Sequence, residues 1–527
     1  MKKYLYAAAL AATLASCSGW LDLKPYDGVV EDDYWKTKED VHSMVIGCYS
    51  SLLNKALVSN MIYWGELRAD LVTDGPSADA GIKNIIRGEI SPENGIVKWD
   101  EFYNTINQCN KIIEKSELVR ELDQTFTESL YRQYVAEVTA IRSLMYFYLV
   151  RSFQDVPLVL TASNSDAQDY YPAKAKGSDI LDTLVSHLVA AIPRLPRSYG
   201  AIDKTKGRFT DLAAKTLLAD IYLWQGSYES CNSLCVEVIG SGQFSLIPVG
   251  RESVEVRNAA DEVVDTAYYA NMADVELWFD QLYVTGNSVE SIFELQFPKV
   301  HESLNDPFFA MYNSSSSRPV LAANDAILDG VLFPVYEYDL DVRDIRRNTY
   351  QQGYAWKFVG AGLSGTRRTE RSFPHWIIYR FPDVMLMRAE ALTQLAIQSG
   401  NRQDWLEEAY GLVQQVRERA NAVEGAGNKM SYPINGKTLE KLILEERARE
   451  FVFEGKRWYD VLRHARRDNY AGENREYLLN MAINSAPPEK QASLQVKYLD
   501  SWFHYWPIYV GAVEINRNLT QNEFYLQ

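Results

Sequence analysis

Apolar and polar positions along much of the chain follow the period of an α-helix. Between Phe126 and Phe153, the residues Leu130, Tyr134, Val138, Ile141, Met145 and Tyr148 recur three and four apart. That spacing lays them along one face of a long amphipathic helix. Asp155-Val156-Pro157 ends it, because proline lacks the backbone donor and its ring crowds the preceding turn. Residues 97–118 precede this helix and can pair with it, so a first helix pair is predicted near 97–153. A second pair is predicted near 210–240. Thr210 N-caps a helix to about Trp224, Gly226-Ser227 breaks it, and Tyr228 to Ile239 returns before Gly240-Ser241-Gly242. A third pair is predicted near 383–422, turning at Ser399-Gly400-Asn401. A last long helix is predicted after Thr438, to about His464, near 438–465.

Helix–turn–helix units of thirty-odd residues thus recur, separated by irregular segments. The run Leu217 to Tyr222 followed by Gly226-Ser227-Tyr228 resembles the tetratricopeptide pattern of small residues, a glycine turn and a tyrosine. The stretch from about 245 to 373 differs: it holds Ser314 to Ser317, several glycines and short apolar runs. Alternation from Ile292 to Phe297 predicts a short strand there. The expected fold class is mostly α, a tetratricopeptide-like helix-pair scaffold with long irregular loops and a few short strands. Loops on such a scaffold are where binding residues usually sit.

Composition narrows the function. With 47% hydrophobic and 24% charged residues, the chain is an ordinary globular one. Its 527 residues allow two to four domain-sized units or a single large helical array. A net charge of −16 opposes nucleic-acid binding, which needs clustered cations over much of a surface. Tyrosines outnumber phenylalanines 34 to 19, and Tyr and Trp suit sugar rings as well as helix packing.

The N-terminus reads as an export signal. Lys2 and Lys3 form a basic start, and Tyr4 to Ala15 is apolar but too short to span a bilayer. Leu14-Ala15-Ser16-Cys17 resembles a bacterial lipobox, so residues 1–16 are expected to be removed and Cys17 lipidated. Multiple acyl chains anchor a protein where one would not. Residues 17–35 then form a tether, and 36–527 the globular body. The remaining cysteines are Cys48, Cys109, Cys231 and Cys235, with no C-x-x-C pair or nearby histidine for zinc. A Cys48–Cys109 disulfide stays open at this stage.

No catalytic motif stands out. The six histidines are dispersed, and neither H-E-x-x-H nor G-x-S-x-G occurs. Gly436-Lys437-Thr438 lacks the upstream glycine of a phosphate loop, because Ser431 occupies that place. Acids and arginines from Glu445 to Glu450, extended by Arg457 and Asp460, are spaced for helix ion pairs. They read as a charge network tying this helix to its neighbours.

Several motifs taken in order resemble the SusD/RagB family of nutrient-binding outer-membrane lipoproteins. Cys17-Ser18-Gly19-Trp20-Leu21-Asp22 resembles its lipid cysteine followed by aromatic-Leu-Asp. Ala140 to Arg151 leads into Asp155-Val156-Pro157-Leu158 as its long helix does. Gly207-Arg208-Phe209-Thr210, Asp383 to Ala391, Val416 to Ala420, and Glu445 to Arg463 are similar to its later helices. The tail departs from the family pattern: Asn518 precedes Leu519, and Gln521-Asn522 precedes Glu523-Phe524-Tyr525.

The resemblance implies four tetratricopeptide-like helix pairs with a ligand site in loops on one side. It also implies no enzyme activity, an outer-membrane position facing the cell exterior, and a TonB-dependent barrel transporter under this lid. The ligand implied is an oligosaccharide or polysaccharide, with peptides or another non-sugar nutrient as the alternative. No cofactor is expected, and structural calcium is not readable from sequence. Two regions carry the contact candidates: Tyr63 to Ala80, with Trp64 and Asp70, and the central region, with Trp278, Tyr283, Tyr354 and Trp356. Core packing is the competing reading for Trp64.

Overall fold

The computed structural model describes residues 34–526 apart from 164–169, 259, 298–305, 313–318, 334–343, 352, 368–374 and 423–429. The lipidation site Cys17, the leader, most of the tether and Ser314 to Ser317 lie outside the described residues.

The first elements are helices α1 (Lys38–Ser51) and α2 (Lys55–Glu66), the short strand β1 (Val72–Asp74) and helix α3 (Ala80–Ile86). Helices α4 (Asp100–Leu122) and α5 (Glu128–Phe153) form the expected first pair. Thr127 caps α5 by accepting from the backbone N–H of Leu130. From Ala136 to Phe153 every residue of α5 is buried, so this helix is a central post, not a surface stripe. Strand β2 (Val156–Pro157) follows and pairs with β3 (Lys174–Ala175), which leads into α6 (Gly177–Ala191) and the short α7 (Ile202–Gly207).

The second pair is α8 (Asp211–Gln225) and α9 (Tyr228–Gly240). Thr210 accepts from Ala213 N–H at 3.2 Å, as its N-cap role requires. Gly226 closes α8 with φ 80, a left-handed conformation that costs glycine nothing. The hairpin of β4 (Arg251–Arg257) and β5 (Val263–Ala270), then α10 (Met272–Phe279), occupy the start of the region expected to be irregular. Strand β6 (Ser291–Leu295), helix α11 (Asp306–Tyr312), strand β7 (Leu321–Ala323) and the single turn α12 (Trp356–Val359) complete it. Strand β6 pairs with β8 (Trp376–Arg380).

The third pair is α13 (Phe381–Gln398) and α14 (Gln403–Arg419), turning through Gly400 and Asn401, both at positive φ. The predicted last long helix is two helices, α15 (Gly436–Glu450) and α16 (Arg457–Arg466). The chain breaks where Phe453 and Gly455 take positive φ. A Cβ on Gly65 of α2 would lie 1.9 Å from the Gly455 carbonyl oxygen. Backbone packs on backbone there, and a continuous helix would block that contact. Helices α17 (Glu473–Asn484), α18 (Pro488–Tyr498) and α19 (Val510–Ile515) close the chain.

The charge network around α15 is present and buried. Arg346 bonds Glu446 at 2.6 Å and Glu450 at 2.9 Å, and Arg417 bonds Glu446 at 2.8 Å. Arg380 and Arg419 also pair with Glu450, and Arg463 holds Glu390 at 2.8 Å. Arginines from β8, α14 and the 3-10 turn before α12 thus fix α15 from several sides, and Arg463 ties α16 to α13.

Candidate ligand-binding face

The two regions singled out in the sequence meet at a short seam. Strand β1 pairs antiparallel with β7, Thr73 opposite Ala322 and Asp74 opposite Leu321. Past the strand end, Gly75 N–H donates to the Val320 carbonyl at 2.8 Å and Ser77 N–H to that of Pro319 at 3.1 Å. A third segment joins on, since Ala323 N–H donates to the Gly353 carbonyl at 2.7 Å. Asn324 secures the corner: its backbone donates to Leu71, and its amide to the Asp70 carbonyl at 3.0 Å. Thr73, Asp74, Asn324 and Tyr354 are half-exposed along this seam, and Pro76, Ser77 and Asp79 are exposed. A hydroxyl, a carboxylate, an amide and a phenol are distributed along this seam and offer both directions of hydrogen bond.

Buried groups hold the seam from below. Asp70 accepts both prongs of the Arg457 guanidinium, at 2.7 and 2.9 Å. A planar pair of this kind fixes orientation as well as charge. Glu66, one turn earlier, accepts from Gly455 N–H at 2.7 Å. Burial, with the charge of Asp70 adding to it, pushes the Glu66 carboxyl up to about 8.

Most of the expected contact residues serve packing. Trp64 is 0% exposed. Its ring stacks on Phe102 at 4.6 Å, and its indole N–H donates to the Ile96 carbonyl at 2.8 Å. Trp278 is buried edge-on to Tyr283, with centroids 5.7 Å apart. Tyr283 itself is buried under Lys357, whose ammonium lies 4.9 Å from the ring centre. Trp356 is buried and donates to the Gly362 carbonyl at 2.8 Å. Asp70 is committed to Arg457. These five are corrected to core or support positions, because no ring face or free carboxylate is left for a ligand. Tyr354 alone among the six is half-exposed and on the seam. Asn324 was not singled out in the sequence; it follows an apolar run and has no local signature there.

Among the described residues, no group of three or more His, Cys, Asp and Glu side chains is arranged to hold a metal ion. Nor is any described helix long and apolar enough to cross a membrane.

Comparison with known proteins matches residues 331–525 to the SusD family and residues 19–223 to a SusD-like family described as starch-binding and associating with the outer membrane. The chain belongs to the SusD family. Members of this family in general bind glycans for uptake and are non-catalytic. A SusD-like protein of Formosa agariphila is 25% identical over 477 residues, covering 85% of this chain and 88% of that one. A SusD-like protein of Bacteroides ovatus is 23% identical over 501 residues, covering 87% and 82%. The fold is shared with a solved SusD superfamily protein from Bacteroides vulgatus, at TM-score 0.69 and 21% identity, over 93% of this chain and 100% of that one. The SusD scaffold thus accounts for the helix pairs, and the seam is a part of it that carries half-exposed polar and aromatic groups.

Proposed function

We propose that this SusD-family protein captures carbohydrate at the cell surface, through the β1–β7 seam, and delivers it to a TonB-dependent barrel transporter. The observation that carries the reading is the meeting of the two sequence regions at one seam, where the segment bearing half-exposed Tyr354 joins through Gly353. Cys17 would carry the lipid anchor, so the protein is attached to the outer membrane by acyl chains and faces the exterior. Capture would proceed by stacking of a sugar ring on Tyr354 and hydrogen bonds from its hydroxyls to Asn324 and to one of Thr73 and Asp74, which as neighbours on β1 face opposite sides. Handover follows when the lid closes over the barrel. Affinity electrophoresis against a polysaccharide panel tests this reading, with Tyr354→Ala and Asn324→Ala run beside the parent. Retarded migration on one glycan, relieved by either substitution, supports it. Binding of peptides with no response to any glycan contradicts it.

A further inference from the structure

A cleft of about 670 Å³ shares no lining residue with the seam. It lies between the C-terminal ends of α5, α8 and α16, the start of α6 and the segment Ser501–Tyr505. Its volume is in the range of pockets that hold small ligands.

Four aromatic rings line it. Trp224 and Tyr505 are buried, and Trp502 and Tyr470 are half-exposed. Backbone hydrogen bonds fix Trp502 from both directions: its N–H donates to Asp500 at 2.9 Å, and its carbonyl accepts from the Asn522 amide at 3.0 Å. Tyr470 is held at φ 61, directly after Asn469 at φ 55, and Gln154 across the cleft sits at φ 67. Residues with a Cβ rarely occupy this region, and such positions gather where a site is shaped.

The charge of the lining runs against that of the chain. Arg466 lies over the Trp224 ring at 4.5 Å, and its Nη1 is buried with no hydrogen-bond partner among the described residues. Lys176 is an exposed second cation in the lining. Among the described lining residues the one carboxylate, Asp155, is engaged by Gly177 N–H at 2.8 Å. In a protein of net charge −16, a cleft whose charged lining is two cations and one occupied carboxylate selects for an anion. An unpaired buried guanidinium N–H favours an oxygen anion as its partner.

We propose that this cleft is a second carbohydrate subsite, for a pyranose unit bearing an anionic substituent, a carboxylate or a sulfate. The sugar face stacks on Trp502 and Tyr470, and the anion meets Arg466 and Lys176. This rests on the carbohydrate reading of the seam. The two sites divide one chain between ring recognition at the seam and charge recognition at the cleft.

The test uses the lipidated chain solubilised in detergent and three oligosaccharides of equal length: neutral, uronate-bearing and sulfated. Isothermal calorimetry is run on the parent, Trp502→Ala, Arg466→Gln, Lys176→Gln and Tyr354→Ala. One of the two acidic ligands is expected to bind, about tenfold more weakly to Trp502→Ala. Lys176→Gln is expected to weaken it severalfold with a shallower salt dependence. That substitution is on an exposed residue, so it decides the matter even where Arg466→Gln fails to fold. Tyr354→Ala is expected to weaken neutral and acidic ligands alike and to leave the preference for the acidic one in place. Absence of binding by both acidic ligands at millimolar concentration, or affinity indifferent to Trp502→Ala and Lys176→Gln, overturns the cleft. If the neutral ligand still binds and Tyr354→Ala abolishes it, the seam reading stands alone. If no glycan responds to either set of variants, both readings fall.

Discussion

Replacing Glu66 with Gln is expected to stabilise the protein, increasingly so as pH rises. The carboxyl is fully buried, one oxygen accepts from Gly455 N–H, and the other has no hydrogen-bond partner among the described residues. Burial is the main cause that lifts it from the ordinary 4.5 to about 8. The folded state therefore holds a proton that the unfolded chain releases above 4.5. The sign follows: this group's contribution is intact below the unfolded value and is lost as pH rises towards the folded one. Each pH unit in that window corresponds to about 1.4 kcal/mol. The linked penalty is thus about 1 kcal/mol at pH 5, about 3 at pH 7 and about 4 at pH 8. Glutamine keeps the acceptor for Gly455 and carries no titrating proton. Urea unfolding of parent and Glu66→Gln at pH 5, 7 and 8 measures the gap directly. The reasoning is refuted by a gap that stays constant across the three pH values, or one that shrinks with rising pH.

Glu450→Ala takes one buried carboxylate from Arg346, Arg380 and Arg419, which keep Glu446, Glu454 and Glu290 respectively, so a loss of about 3 kcal/mol is expected in urea unfolding. Acid should destabilise the protein through Glu446: burial pushes its carboxyl up, but Arg346, Arg417 and Arg449 outweigh that and hold it at about 2. Its contribution is present above the ordinary 4.5 and lost as pH falls towards 2, which a series of melting curves from pH 5 to pH 2.5 will show as a steepening fall in Tm. Cys48 and Cys109 are buried thiols with sulfurs 3.9 Å apart. Native protein should not react with a thiol reagent, whereas denatured protein without reductant should titrate Cys48, Cys109, Cys231 and Cys235; finding Cys48 and Cys109 silent would mean they are joined. Trp64→Ala should cost about 3–5 kcal/mol through the cavity it leaves, yet leave glycan affinity of the folded fraction unchanged by calorimetry.

The helix pairs were legible because periodicity and breakers agree. Thr210, Gly226 and Gly400-Asn401 each sit where a cap or turn needs their chemistry. The split between α15 and α16 was not legible, because the polar pattern runs on through it. The break is made by distant partners: the backbone of Gly65 against Gly455, and Glu66 accepting its N–H. The β4–β5 hairpin went unread although Asn258 to Asp261 offers turn residues between alternating runs. Helix α6 likewise carries Ile180, Leu181, Leu184 and Leu188 at helical spacing, a signal as clear as that of the pairs that were read. The aromatic candidates misled for a different reason. Trp and Tyr suit a sugar face and a helix interface equally well, so Trp64, Trp278 and Trp356 could be sorted only by burial. The seam required two segments some 250 residues apart in the chain to pair, Val72 to Asp74 with Leu321 to Ala323. No local pattern encodes that register.

The central claim is that the β1–β7 seam takes up carbohydrate. Calorimetric titration of parent and Tyr354→Ala with the glycan selected by affinity electrophoresis tests it most directly. The account predicts saturable binding by the parent and a loss of about tenfold or more on removing the ring, with unfolding stability retained. Equal affinities for the two proteins, with the same glycan and the same stoichiometry, would contradict it.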